Sequence, residues 1–183
     1  DSLLRGNSAT PASASPAQTL RTRLQALGFT PTFVGLSGMA SWPGSVPTAA
    51  QGGWTIAAAQ GRVTDIANLN AQTFIVSLGT NDFGTDGGNG VATRIVTFLN
   101  ALSDAVGGFT GNKRIFVATP IQISWFNSSN YNALNQAIIA WCNVNTTNRK
   151  ALNLSQAGLV LSGADGSGDG THWSTTGADK VAN

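Results

Sequence analysis

The chain carries one histidine, His172. If an imidazole moves protons here, no other residue supplies it. Asp169 stands three positions earlier, in Asp169-Gly170-Thr171-His172. In a tight turn that spacing brings a carboxylate to the imidazole Nδ1–H, fixing the tautomer and favouring the imidazolium formed during proton transfer. A surface histidine in a glycine-rich loop has the same local sequence, so the segment gains its meaning from context. Gly79-Thr80-Asn81-Asp82 directly follows the apolar run Thr73–Leu78. An asparagine amide just past the carboxyl end of a strand can donate to a developing oxyanion, although Asn and Asp are also ordinary turn residues. Gly52-Gly53-Trp54-Thr55 closes a long loop and opens a helical stretch. A glycine at such a junction leaves its N–H open to a substrate oxygen with no Cβ in the way, and it serves equally as a plain loop-to-helix joint. Asp1-Ser2-Leu3 says little alone, because terminal residues usually fray.

Together, and in this order, Asp1-Ser2-Leu3, Gly53-Trp54-Thr55, Gly79-Thr80-Asn81-Asp82 and Asp169-Gly170-Thr171-His172 resemble the four sequence blocks of the SGNH (GDSL) hydrolases. The resemblance spans nearly the whole chain, with Gly-Thr-Asn-Asp and Asp-x-x-His its specific parts. Phe33-Val34-Gly35 and the Gly-Trp-Thr-Ile stretch from Gly53 to Ile56 are most similar to the acetyl esterases of carbohydrate esterase family three. The resemblance implies Ser2 as nucleophile, His172 as its general base and Asp169 as the group that orients His172. It implies an oxyanion hole made by the Ser2 and Gly53 backbone N–H groups and the Asn81 side chain. It also implies ester hydrolysis through an acyl-serine without a cofactor or a metal. The implied fold is α/β: a flavodoxin-like three-layer α/β/α sandwich with a parallel sheet of about five strands.

The residue types suit that chemistry. A serine hydroxyl is a poor nucleophile until a base takes its proton. Its attack creates a tetrahedral oxyanion, and losing one preorganised donor to it typically costs about 2.7–4 kcal/mol in the barrier. The Gly-x-Ser-x-Gly elbow of other hydrolases is absent. In the family an apolar strand and a glycine precede Asp-Ser, whereas this sequence starts at Asp1. The expectation is a single domain over residues 1–183, trimmed at both ends, with the leading strand missing from its sheet. Such a gap would leave two inner strand edges unpaired, so a complete sheet from these residues alone would contradict it.

The elements that must position these residues are read from periodicity. Ser15-Pro16 reads as a cap and first helical position, followed by Leu20, Leu24 and Leu27 with Gly28 as a stop. Phe33–Leu36 reads as a short strand, Ser37–Gly53 as loop, and Thr55–Ile66 as holding a short helix. Thr73–Leu78 reads as a strand buried on both faces, Asp82–Gly90 as a glycine-rich loop, and Val91–Val106 as an amphipathic helix. Arg114–Thr119 reads as a buried strand, Tyr131–Trp141 as a helix, Leu152–Leu154 as a weak strand and Gly163–Gly170 as loop, with a last helical segment from Ser174. Strands alternating with helices imply a parallel sheet covered on both faces. Ligands of such sheets bind beyond the carboxyl ends of the strands.

Composition narrows the functions. Charged residues are 10% of the chain against a usual value of about 25%, and the net charge is +2. Duplex binding needs a dense Lys/Arg footprint, so nucleic acid is not an expected partner. A hydrophobic share of 42% opposes wholesale disorder. No apolar run approaches the ~18–20 residues of a membrane span, and no membrane partner is expected. No signal peptide stands at the start, so the chain is mature, trimmed or cytosolic. A surface built from Ser, Thr, Asn, Gln and Gly reads as extracellular, secreted or surface-associated. The lone Cys142 has no disulfide partner, and its neighbours Ile138, Ile139 and Trp141 mark a buried thiol. One Cys and one His are too few ligands for a structural zinc site. Asp165–Gly170 lacks the spacing and glutamate of an EF-hand. Asn127-Ser128-Ser129, Asn145-Thr146-Thr147 and Asn153-Leu154-Ser155 are sequons, relevant in a secreted eukaryotic protein.

Trp42, Trp54, Trp125 and Trp173 fall in or beside loops at the expected active face. Of these, Trp54 and Trp173 are the candidate substrate-binding residues, and loop packing is the other use of such side chains. The leading reading is a serine esterase that removes a small acyl group, acetate first, from an acylated carbohydrate. Two others remain: a non-catalytic carbohydrate-binding or structural module of a larger surface protein, and a lipid esterase or thioesterase using the same residues.

Overall fold

The computed structural model describes residues 16–36, 49, 51–154, 174, 176 and 180. Two compact units divide the chain, one of residues 1–53 with 158–183 and one of residues 54–157. In the first, helix α1 runs Pro16–Ala26. Gly28 ends it in the left-handed region, φ 85°. The Phe29 N–H then reaches back to the Leu24 carbonyl at 2.9 Å, the six-residue closure of a helix C-terminus that favours glycine. Phe33–Leu36 is not a strand. The run follows Pro31 and contains Gly35, and among the described residues no backbone ladder pairs with it. An apolar run becomes a strand only where a neighbour takes up its hydrogen bonds.

The second unit holds the sheet. Its elements in order are α2 (Ile56–Gln60), α3 (Val63–Asn68), β1 (Thr73–Ser77), α4 (Thr80–Asp86), α5 (Val91–Ala105), β2 (Arg114–Ala118), α6 (Ser128–Asn143) and β3 (Arg149–Leu152). The sheet order is β1-β2-β3, all parallel. Thr73 stands opposite Arg114, and Ile115 opposite Arg149. Parallel pairing sets the carboxyl ends of all three strands side by side. The described sheet therefore has three strands, and the expected count of about five is not reached among them.

Hydrophobic burial fixes this arrangement. Val91, Ile95, Phe98, Leu99 and Leu102 form the inward stripe of α5. Tyr131, Leu134, Ile138, Trp141 and Cys142 do the same for α6, which packs on α5 and β3. Ile95, Leu99, Leu134 and Ile138 have no exposed surface, and each such side chain contributes about 1.5–3 kcal/mol by leaving water. Trp141 locks the pair of helices: its Nε1–H donates to the Asn100 side chain on α5 at 2.8 Å. The Arg149 guanidinium lies over the Trp141 ring, 3.9 Å from its centroid.

Four local expectations change. β1 buries Phe74 and Val76 but leaves Thr73 and Ile75 exposed, so one face of the strand is packed rather than both. The segment expected as a loop from Asp82 begins as helix α4, with turns only from Gly87 onward. Phe83 drives that change: it is buried and stacks on Phe126, with ring centroids 4.0 Å apart. Thr55–Ile66 holds two short helices, broken at Gly61. The last strand covers Arg149–Leu152, ahead of the expected Leu152–Leu154. Its charged residues Arg149 and Lys150 hide it from an apolar pattern, whereas the ladder to β2 defines it.

Candidate active site

β1 ends at Ser77, and the chain turns through Leu78 and Gly79 into α4. Gly79 has φ 112°, where only glycine is unstrained. A Cβ there would also lie 2.8 Å from the Leu134 side chain of α6. Those two facts explain the glycine of Gly-Thr-Asn-Asp: it lets the backbone reverse tightly against the core. Asn81 consequently falls in the first turn of α4, at the carboxyl end of β1, as the sequence implies.

Asn81 and Asp82 both hold the Trp54–Ile56 segment. The Asn81 side-chain amide donates to the Trp54 carbonyl at 2.9 Å. That uses one of its two N–H donors. Asp82 is buried, 2% exposed, and its Oδ2 accepts the Ile56 N–H at 3.0 Å. Ile56 opens α2, so this carboxylate satisfies one of the helix's orphan donors. Thr55, the N-cap, accepts the Ala58 N–H with its side chain. The other oxygen of Asp82 accepts Arg94 Nε at 3.1 Å. Arg94 in turn pairs with Asp86 and donates to the Asn89 carbonyl. Burial pushes the Asp82 carboxyl above its usual value, against the pull of the Ile56 N–H and of Arg94.

Two of the four sequence blocks are thus knitted together by adjacent side chains, although they lie 26 and 27 residues apart in sequence. Asp82 and Arg94 are positioning residues that the sequence reading did not single out. Their available signal was slight: Asp82 adjoins Asn81, and Arg94 is the lone charge in the first half of an amphipathic helix.

The remaining expected residues divide as follows. Gly53 is exposed, has φ 79°, and nothing lies within 4 Å of the place a Cβ would take. Trp54 is partly exposed. Ser2, Asp169, His172, Trp42 and Trp173 lie outside the described residues. Cys142 is buried, as expected, and desolvation raises its thiol to about 11. Among the described residues no group of three or more His, Cys, Asp or Glu side chains gathers to hold a metal. No described helix is long and apolar enough to cross a membrane.

No protein-family model and no curated protein matches the chain. Solved structures do. The family 3 carbohydrate esterase of Clostridium thermocellum superposes with a TM-score of 0.78 at 24% identity, over 100% of this chain and 88% of that one. An acetyl esterase mutant with an acetate ion gives 0.70 at 20% identity, over 91% and 85%. A carbohydrate esterase family 3 protein from Talaromyces cellulolyticus gives 0.69 at 20% identity, over 93% and 88%. The chain shares the fold of these esterases. That α/β fold is the class the sequence implies, and the Gly-Thr-Asn-Asp block stands at the carboxyl edge of its parallel sheet, where ligands of open α/β sheets bind.

Proposed function

We propose that the chain is a serine esterase that removes a small acyl group, acetate foremost, from a carbohydrate. The observation that carries this reading is the double tie from Asn81 and Asp82 to the Trp54–Ile56 segment. It ties the asparagine of one sequence block to the tryptophan carbonyl of another, which supports a shared role for the two blocks in binding an oxyanion. The sequence blocks and the fold of the acetyl esterases support the same reading.

In this mechanism His172 takes the proton from Ser2 Oγ as that oxygen attacks the ester carbonyl. Asp169 holds His172 in the required tautomer. The carbonyl electrons move onto the oxygen, which the Ser2 N–H, the Gly53 N–H and the second N–H of Asn81 stabilise. Collapse expels the sugar alkoxide, which takes the proton from His172. Water, deprotonated by His172, then attacks the acyl-Ser2 ester; collapse breaks the Ser2 Oγ–acyl bond, His172 returns the proton to Oγ, and the acid leaves. No cofactor enters these steps.

The test is release of p-nitrophenol from its acetate ester, and of acetate from a peracetylated sugar. Ser2→Ala and His172→Ala should each abolish both. Unchanged rates in either variant refute the assignment. Sugar binding without turnover by the native protein would favour a non-catalytic module instead. Preference for long-chain over acetyl esters would point to lipid or thioester substrates.

A further inference from the structure

Trp125 is 49% exposed, in the segment that leaves the carboxyl end of β2. Exposure of so large an apolar side chain runs against the packing of its neighbours. Ile121, Ile123 and Phe126 are all buried. The Phe126 N–H closes a turn onto the Ile123 carbonyl at 2.9 Å, with Ser124 and Trp125 at its corners. The turn is therefore anchored on both sides and presents the indole from its tip. Phe126 meets the indole edge-to-face, with centroids 4.7 Å apart and planes at 83°. Phe126 itself is stacked on Phe83 of α4. The far edge of the indole, Cη2, lies 3.9 Å from the Cβ position of Gly84.

That last contact locates the ring. Gly84 stands three residues after Asn81 on α4, so the two share a helix face about one turn apart. The indole thus rests against α4 one turn beyond Asn81, near the carboxyl edge of the sheet. Among the described residues its Nε1–H meets no protein acceptor. An aromatic face whose quadrupole attracts polarised C–H groups, beside a free N–H donor, fits a pyranose ring. Such a ring presents axial C–H bonds on one face and hydroxyls at its rim.

We infer that Trp125 is the platform on which the ester-bearing pyranose stacks, setting the preference for acylated sugar over simple esters. The inference deepens the esterase reading and rests on it for the identity of the ligand. Apolar lining with a few placed polar groups is the usual make-up of such sites.

The experiment separates the two. An amide-resonance spectrum of the native protein shows the indole N–H of each of the five tryptophans, and Trp125→Ala identifies one by its loss. Xylotetraose, which carries no ester, is then titrated into the native protein, into Trp125→Ala and into Trp125→Phe. The Trp125 indole resonance should shift with the sugar. The dissociation constant should weaken about three- to tenfold in Trp125→Ala and less in Trp125→Phe. The ratio of kcat/KM for a peracetylated sugar to that for p-nitrophenyl acetate should fall by a similar factor in Trp125→Ala. A silent Trp125 resonance in a protein that does hydrolyse the acetate esters overturns the inference and leaves the esterase reading standing. Sugar binding at Trp125 without any ester hydrolysis keeps the sugar-stacking surface, and overturns both the esterase reading and the substrate preference drawn from it.

Discussion

Asp82→Ala removes the acceptor of two hydrogen bonds at once, the Ile56 N–H at 3.0 Å and Arg94 Nε at 3.1 Å. Hydrogen bonds to a charged group contribute about 1.5–3 kcal/mol each. The losses do not simply add. Arg94 keeps Asp86 and is 30% exposed, so water and that carboxylate recover much of its share. Ile56 is 1% exposed, so its N–H is left buried and unpaired. The substitution also relieves the burial of a charge. The net expectation is a loss of about 2–4 kcal/mol. Urea unfolding measures it as a lower midpoint at an unchanged slope. The pH dependence has a definite sign. Burial raises the folded Asp82 carboxyl above its ordinary value. Between that ordinary value and the raised one, the folded protein holds a proton that the unfolded chain has released. This group's stabilisation is therefore full below the window, falls as pH rises through it, and is level above. Asp82→Ala lacks that slope, so its deficit against the native protein is largest in acid and smaller at neutral pH. A deficit below about 0.5 kcal/mol, the range of ordinary surface changes, refutes the structural role. A deficit that grows with pH refutes the reasoning about burial.

Three further expectations follow from the same region and its support. Asn81→Ala should lower kcat by about a hundred- to a thousandfold, the effect of losing one oxyanion donor, while its single bond to Trp54 costs only about 1 kcal/mol of stability; equal losses in kcat and in folded fraction would remove its catalytic role. Gly79→Ala should cost about 1–3 kcal/mol by thermal or urea unfolding, because Leu134 is fully buried and cannot yield to a Cβ at 2.8 Å; a neutral result contradicts the tight turn. With its thiol raised to about 11, Cys142 should be about one part in a thousand thiolate at pH 8, so a disulfide reagent should label it slowly in the native protein and rapidly in guanidinium; fast native labelling contradicts its burial.

What the sequence revealed depended on how local each cause is. The runs Thr73–Leu78 and Arg114–Thr119 and the spacing of Val91, Ile95, Leu99 and Leu102 carry their structure in their own pattern, and β1, β2 and α5 follow them. α4 does not, because Gly84 and two aspartates look like a loop until Phe83 finds Phe126 across the fold. Phe33–Leu36 fails as a strand and Arg149–Leu152 succeeds for the same reason: pairing, not apolarity, decides. At the site, the place of Asn81 after a buried run was readable. The bonds from Asp82 to Ile56 and Arg94 were not, since they join positions 26 and 12 residues apart with no local signature.

The central claim is that Ser2 is activated by His172. A fluorophosphonate, which phosphorylates only an activated serine and expels fluoride, reports on it directly when the adduct is mapped by peptide mass spectrometry. One adduct per chain, on Ser2, absent from Ser2→Ala and lost or much slowed in His172→Ala, is the expected result. No adduct on the native protein, or one on a different serine, contradicts the account.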